Sequence, residues 1–238
     1  MAEKSTIFQS IQLGVESTPG TAVAANKKLL AVSMAPQDRT EAIKFRALGN
    51  KYSSLVAINK EWSEFAIDGM LTYNEINYLL SSLLYKPTPV QQGGTTAYLW
   101  TYTPDTDGPD TEQAYTIEQG DATTAWRCPG VQVSGLTFGF SRNEVKVSGT
   151  AFGEQIETGI TLTATPTSLT PLPILPAHLS FKMADTQAGL AGASALTRSF
   201  AMEFAVTGKR GLCWPVCQDP VMLETEPSAT AKIKIATD

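Results

Sequence analysis

Three cysteines and one histidine are all that this 238-residue chain offers to thiol, imidazole or zinc chemistry. Cys128, Cys213 and Cys217 are odd in number, and CWPVC, residues 213–217, has neither a second cysteine pair nor a nearby histidine to complete a zinc site. They read as reduced structural thiols, with a Cys213–Cys217 disulfide as the alternative. His178 stands among apolar residues in LPAHLSF, where the pattern supplies no serine or cysteine nucleophile. It reads as a structural group rather than a base.

Other absences narrow the function further. The net charge is −5 and the 18 Lys and Arg residues are scattered, so no basic block offers the footprint that grips phosphate. The N-terminus carries neither the charged nor the apolar region of a secretory signal. No apolar run reaches the roughly 18 residues of a membrane-spanning helix. GLAGAS lacks the third glycine and preceding strand of a dinucleotide fingerprint, and DTDGPD lacks the spacing and terminal glutamate of a calcium loop. The sequence therefore predicts no enzyme, no metal and no cofactor.

What is abundant is threonine, at 29 residues, placed in short apolar runs and the turns between them. A β-branched side chain with a hydroxyl suits a pleated surface that is half wet, and the first expectation is a β-dominated chain. KLLAVSM (Lys28–Met34) reads as a strand stopped by Pro36. Residues 37–60 show mixed charge and no period, and are expected to be a long functional loop. In EWSEFAIDGML, Phe65, Ile67 and Leu71 face one way, and Trp62, Glu64, Asp68 and Met70 the other. Thr72–Glu75 has the form of a capping box, followed by Ile76, Leu79, Leu80 and Leu83 at helical spacing until Pro87 and Pro89 prevent continuation. This predicts one amphipathic helix of about three turns.

TTAYLWTYT (Thr95–Thr103) reads as a strand with Tyr98, Trp100 and Tyr102 on one face. An acidic turn-forming loop, PDTDGPDTEQ, follows it. AYTIEQ and TTAWRC are short strand candidates around Gly120-Asp121. Val131–Phe152 is expected to be a long hairpin turning at SRN. In it Leu136, Phe138 and Phe140 share a face with Gln132 and Ser134, opposite Gly135, Thr137 and Gly139. Residues 163–176, rich in Pro and Thr, read as an extended edge or connector. HLSFKM reads as a short strand and DTQAGLAGASA as a small-residue turn. SFAMEFAVT alternates, with Phe200, Met202, Phe204 and Val206 inward. ATAKIKIATD alternates until the chain stops, as expected of a fragment of a longer protein. The fold class predicted is mainly β: an antiparallel β-sandwich or partly closed barrel of about eight strands with one flanking α-helix.

Three stretches resemble the major tail tube proteins of long-tailed, non-contractile bacteriophages: IQLGVESTPGTAVAANKKLLAVSMAP, EWSEFAIDGMLTYNEINYLLSSLL and LTFGFSRNEVKVSGTAFGEQI. FKMADTQAGLAGASALTRSFAMEFAVTGKRG is similar to that family's late strand, turn and strand. The resemblance implies a single tail tube domain over 1–238 that forms hexameric rings stacked into a tube. It further implies assembly in the host cytoplasm, a place in the virion tail, and a C-terminus running further than this one. The implied partners are other copies of the chain, the tape measure protein, tail-end proteins, and viral double-stranded DNA that passes without being held.

On this reading the N-terminal arm, 1–27, is featureless because its partner is a neighbouring subunit, and 37–60 is a further inter-subunit loop. The residues expected at subunit contacts are Val15, Pro19, Gly20, Thr21, Phe45 and Tyr52. Basic side chains facing the bore would retard DNA through phosphate contacts. The expected lumen lining is therefore Glu64, Asp68, Thr137, Glu144, Ser148 and Thr150. Lys146 shares the face of Glu144 and weakens a purely acidic picture. Two alternatives stay open: a monomeric carbohydrate-binding or adhesin-type module using Tyr98, Trp100 and Tyr102, and another ring-forming tail component.

Overall fold

The chain was analysed as a computed structural model, which describes residues 9–103, 105–111, 113–121, 123–196, 199–208, 210–215 and 220–235. Over these described residues the fold is mainly β, with one α-helix and no closed barrel; it fits a β-sandwich. Its elements run β1 (Ser10–Val15), β2 (Lys27–Leu29), β3 (Val32–Phe45), β4 (Leu55–Met70), α1 (Ile76–Leu83), β5 (Val90–Gln91), β6 (Tyr98–Leu99) and β7 (Tyr115–Gly120). There follow β8 (Ala125–Ser141), β9 (Val145–Gly153), β10 (Glu157–Thr158), β11 (Thr167–Ser168), β12 (Ser199–Thr207), β13 (Arg210–Cys213), β14 (Val221–Glu224) and β15 (Ser228–Ile235).

One long strand organises both parts of the sandwich. The first half of β8 pairs with β7, which continues through β1 and β2 to β11. Its second half pairs with β9 on one side and β12 on the other, giving the order β15-β12-β8-β9-β4-β3. TTAWRC and the hairpin's first run are thus one strand of 17 residues. It changes direction at Pro129-Gly130, where the β7 register shifts and Gly130 takes φ 64°.

A second bulge explains a misassigned face. The β8–β9 register slips between Val133 and Gly135, so Ser134 is an extra residue and the alternation inverts there. The apolar residues facing the core are consequently Val131 and Val133 before the slip and Leu136 and Phe138 after it. Gln132 and Ser134 do not share the face of Leu136, contrary to the simple alternation. The bulge leaves the Val133 N–H outside the ladder; it is donated to Ser82 Oγ on α1 at 2.9 Å. Phe65, Ile67 and Leu71 of the β4 region, Val147 of β9, Leu13 of β1 and Leu79 and Leu83 of α1 complete one core.

α1 is shorter than three turns, at eight residues. Thr72 Oγ1 accepts the Glu75 N–H at 3.3 Å, as a capping box requires. The Glu75 carboxylate, however, does not reach back to Thr72. Buried to 1% exposure, it accepts the N–H groups of Leu30 and Ala31 at 2.7 and 3.1 Å. KLLAVSM is therefore two strands with a turn clamped between them. Pro36 does not stop β3, because β3 is the outermost strand and its proline breaks no ladder beyond it.

Residues 163–176 run extended, as expected, with β11 laid parallel against β2. HLSFKM is not a strand: residues Pro176–His178 form a single 3₁₀ turn and only Lys182 makes a bridge, to Ala195. The small-residue segment holds another 3₁₀ turn, Ala188–Ala191. Cys128 is a buried free thiol whose pKa is pushed far up by desolvation, consistent with a structural role. Cys217, and with it the disulfide alternative, lies outside the described residues, as does the side chain of Phe200.

Candidate assembly surface

In its central strands the β15–β3 strip has one face packed on the core and one wetter face, while β15 is exposed at its described residues. Cross-strand register places Ser33, Asp68, Ser148, Thr137, Ala205 and Thr230 in a single row across it. The next row runs Ala35, Ala66, Thr150, Gly135, Thr207 and Ser228, and Glu64 stands one row further on, opposite Gln37. Five of the six residues expected at a lumen, Glu64, Asp68, Thr137, Ser148 and Thr150, therefore share one face. Glu144 lies beside it, in the β8–β9 turn, where its N–H and carbonyl bond to Ser141.

This face is rich in hydroxyls, and three of its cations are paired. Lys146 is 3.0 Å from Glu144, Arg39 2.9 Å from Glu64, and Lys232 3.2 Å from Glu203. Glu144, by hydrogen bond and charge, and Asp68 to a smaller degree raise the pKa of Lys146. Each of these three cations already has a carboxylate, which weakens its attraction for phosphate.

Among the described residues β3 pairs only with β4, and β15 only with β12, leaving a strand edge at each end of the strip. An open edge is a template for another chain.

Residues 37–60 are not a loop. They form the outer part of the β3–β4 hairpin, registered from Gln37↔Glu64 to Phe45↔Leu55. At about 3.4 Å per residue the arm extends roughly 25–30 Å beyond the last core positions. Its tip carries apolar side chains on both faces: Ile43, Phe45 and Leu55 on one, Val56 and Ile58 on the other, all more than half exposed. Leu48 and Tyr52 at the turn are also exposed. Between Ala42 and Asn59 the charged residues are Lys44, Arg46 and Lys51, with no carboxylate. A two-stranded ribbon is marginal alone, and one apolar on both faces calls for cover.

The N-terminal stretch behaves in the opposite way, correcting the idea of a free arm over its described part. β1 is paired on both sides, by β2 and β7. Beyond it, Glu16 is 4% exposed. Its carboxylate accepts the N–H groups of Gly20 at 2.8 Å and Gly130 at 2.9 Å, and the Thr116 hydroxyl at 2.7 Å. Gly20, at φ 82°, turns the chain back beneath that carboxylate. Among the expected contact residues, Val15, Pro19, Thr21, Phe45 and Tyr52 are exposed, whereas Gly20 is half-buried in this clamp. Residues 1–8 lie outside the described ones.

Thr95–Thr103 is not a continuous strand. Tyr98 and Leu99 form β6, Trp100 lines a groove beside α1, and the Tyr102 hydroxyl is donated to the Asn77 carbonyl at 3.2 Å. The three aromatics thus do not stand on a common strand face. The groove holds about 430 Å³ and also contains Val15, Tyr78, Pro87, Pro89 and Leu169. His178 is exposed. Among the described residues no group of three His, Cys, Asp or Glu is placed to hold a metal, and no helix is long and apolar enough to cross a membrane.

Sequence reasoning missed the buried carboxylates Glu16, Glu75 and Glu118. Glu118 accepts the Thr163 N–H and hydroxyl at 2.8 and 2.9 Å, fixing the connector. A glutamate directly after an apolar strand and before a Pro-Gly turn, as in GVESTPG, was the available signal for the first. The chain matches no protein-family model, and no curated protein matches it in sequence.

Proposed function

We propose that this chain is a structural subunit that assembles with copies of itself into stacked rings, forming the tail tube of a long-tailed bacteriophage. The observation that carries the reading is the β3–β4 arm: an ordered ribbon whose apolar side chains are more than half exposed on both faces among the described residues. Two open edges on one sheet support lateral addition of neighbours, since a head-to-tail contact generates rings or filaments. The hydroxyl-rich face with its paired cations supports a bore that lets DNA slide, because phosphate finds fewer uncommitted charges to displace counterions from. On this reading the rings are hexameric, the tape measure protein fills the bore first, and tail-end proteins cap the stack.

The test is negative-stain electron microscopy of the purified chain from dilute to very concentrated solution, with virions as the second specimen. Rings or hollow tubes with a DNA-sized bore are expected. Compact monomers at every concentration, together with absence from virion tails, would sink the reading.

A further inference from the structure

We infer that the arm's tip docks in the groove beside α1 of a second copy, so that a basic apolar plug meets an apolar slot with an acidic rim. The inference rests on the self-assembly reading and names the acceptor site for it. The side-chain amides of the groove are already bonded within the chain. Asn74 Nδ2 is donated to the Thr170 carbonyl at 2.7 Å, and Asn77 Nδ2 to the Tyr73 carbonyl at 3.1 Å. Gln113 Nε2 is donated to the carbonyls of Glu16 and Ala114 at 3.1 and 2.8 Å. A polar small molecule would find few groups to bond. What remains open is the apolar wall formed by Val15, Tyr78, Trp100, Pro87, Pro89 and Leu169. Aromatic side chains of this kind are favoured anchors at protein interfaces.

Charge selects the occupant. The loop 104–113 lies against the groove where its Thr111 carbonyl accepts the Lys86 N–H at 3.3 Å, and its Asp110 is buried, accepting the Asp105 N–H. Both its ends attach at the groove, through Tyr102 bonded to Asn77 and Gln113 in the lining. Asp105 and Asp107 are exposed on it. Lys86 is the charged residue in the groove's lining and offsets only part of this acidity. The tip has the reverse balance, with Lys44, Arg46 and Lys51 and no carboxylate. It also offers Phe45, Leu48 and Tyr52 to the apolar wall. Complementary charge of this sort fixes partner and register more than raw affinity. Two residues expected at contacts from sequence, Phe45 and Tyr52, then belong to the plug, and a third, Val15, to the slot.

The test uses full-length chain in two charge-reversed forms. The tip form carries Lys44→Glu and Arg46→Glu. The rim form carries Thr106→Lys and Asp107→Lys, at exposed positions whose side chains make no hydrogen bond among the described residues. Thermal melts of both confirm that they fold. Sedimentation velocity at low salt, with wild type alongside, then reads assembly. Each form alone is expected to need about tenfold more protein than wild type to assemble, and the equimolar mixture to recover to within about threefold. Recovery is specific because each tip then meets a groove of opposite sign. If wild type assembles but the mixture does no better than its components, or either form alone matches wild type, the groove assignment falls and self-assembly stands. If wild type never assembles, the groove assignment falls, and absence from virion tails then sinks the self-assembly reading as well.

Discussion

The stretches 14–28 and 37–60 look alike in sequence, polar and without period, yet the structure treats them in opposite ways. The first is folded onto its own chain by a buried glutamate with three donors. The second is regular β-structure that exposes its apolar residues on both faces. Order and self-burial are therefore separate properties here. A loop can be fixed by one well-placed carboxylate, whereas a ribbon with perfect register can still lack a partner.

The sharpest way to break the contrast is Glu16→Ala. It strands the N–H groups of Gly20 and Gly130 and the Thr116 hydroxyl, and is expected to cost about 3–5 kcal/mol in a urea titration. A loss under about 1 kcal/mol would mean that the stretch is not held by its own chain. Smaller is Ser82→Ala on α1, which orphans the Val133 N–H at the bulge and should cost about 1–2 kcal/mol by the same measurement.

On the arm the expectation changes sign. Ile43→Ser with Ile58→Ser should leave the monomer's stability within about 0.5 kcal/mol, while raising the concentration needed for assembly at least about tenfold. Strong destabilisation of the monomer instead would show that the arm's side chains are covered within the chain. The smallest effect concerns pH. Lys60, by hydrogen bond and charge, lowers the pKa of Glu41 from 4.5. A depressed carboxylate contributes stability above its unfolded value and loses it as pH falls through the folded one. The Glu41–Lys60 contact at the base of the arm should thus persist at neutral pH and weaken only below 4.5. NMR titration of the Glu41 carboxyl checks this; a midpoint above 4.5 would contradict the pairing.

Much of the body was legible because one face of the central strands is dry. Phe65, Ile67 and Leu71 alternate with wet neighbours, and the helix announces itself by spacing, a threonine cap and two prolines. For the same reason five of the six lumen candidates fall on one face, Glu144 being in the turn beside it. The arm was not legible, since QDRTEAIKF is wet on both faces and so carries no contrast of period two. The bulge at Ser134 was invisible because one inserted residue leaves composition unchanged while inverting everything after it.

By itself the sequence determined the local periods: where chain alternates, where it coils once into helix, and where proline and glycine turn it. Tertiary structure alone decided what each wet residue meets. Glu16 reaches Gly130 across 114 residues, a pairing that no local pattern encodes. The wet face becomes one surface only when β15, β12, β8, β9, β4 and β3 align in register, because hydrogen-bonded pairing, not sequence proximity, sets which side chains stand together.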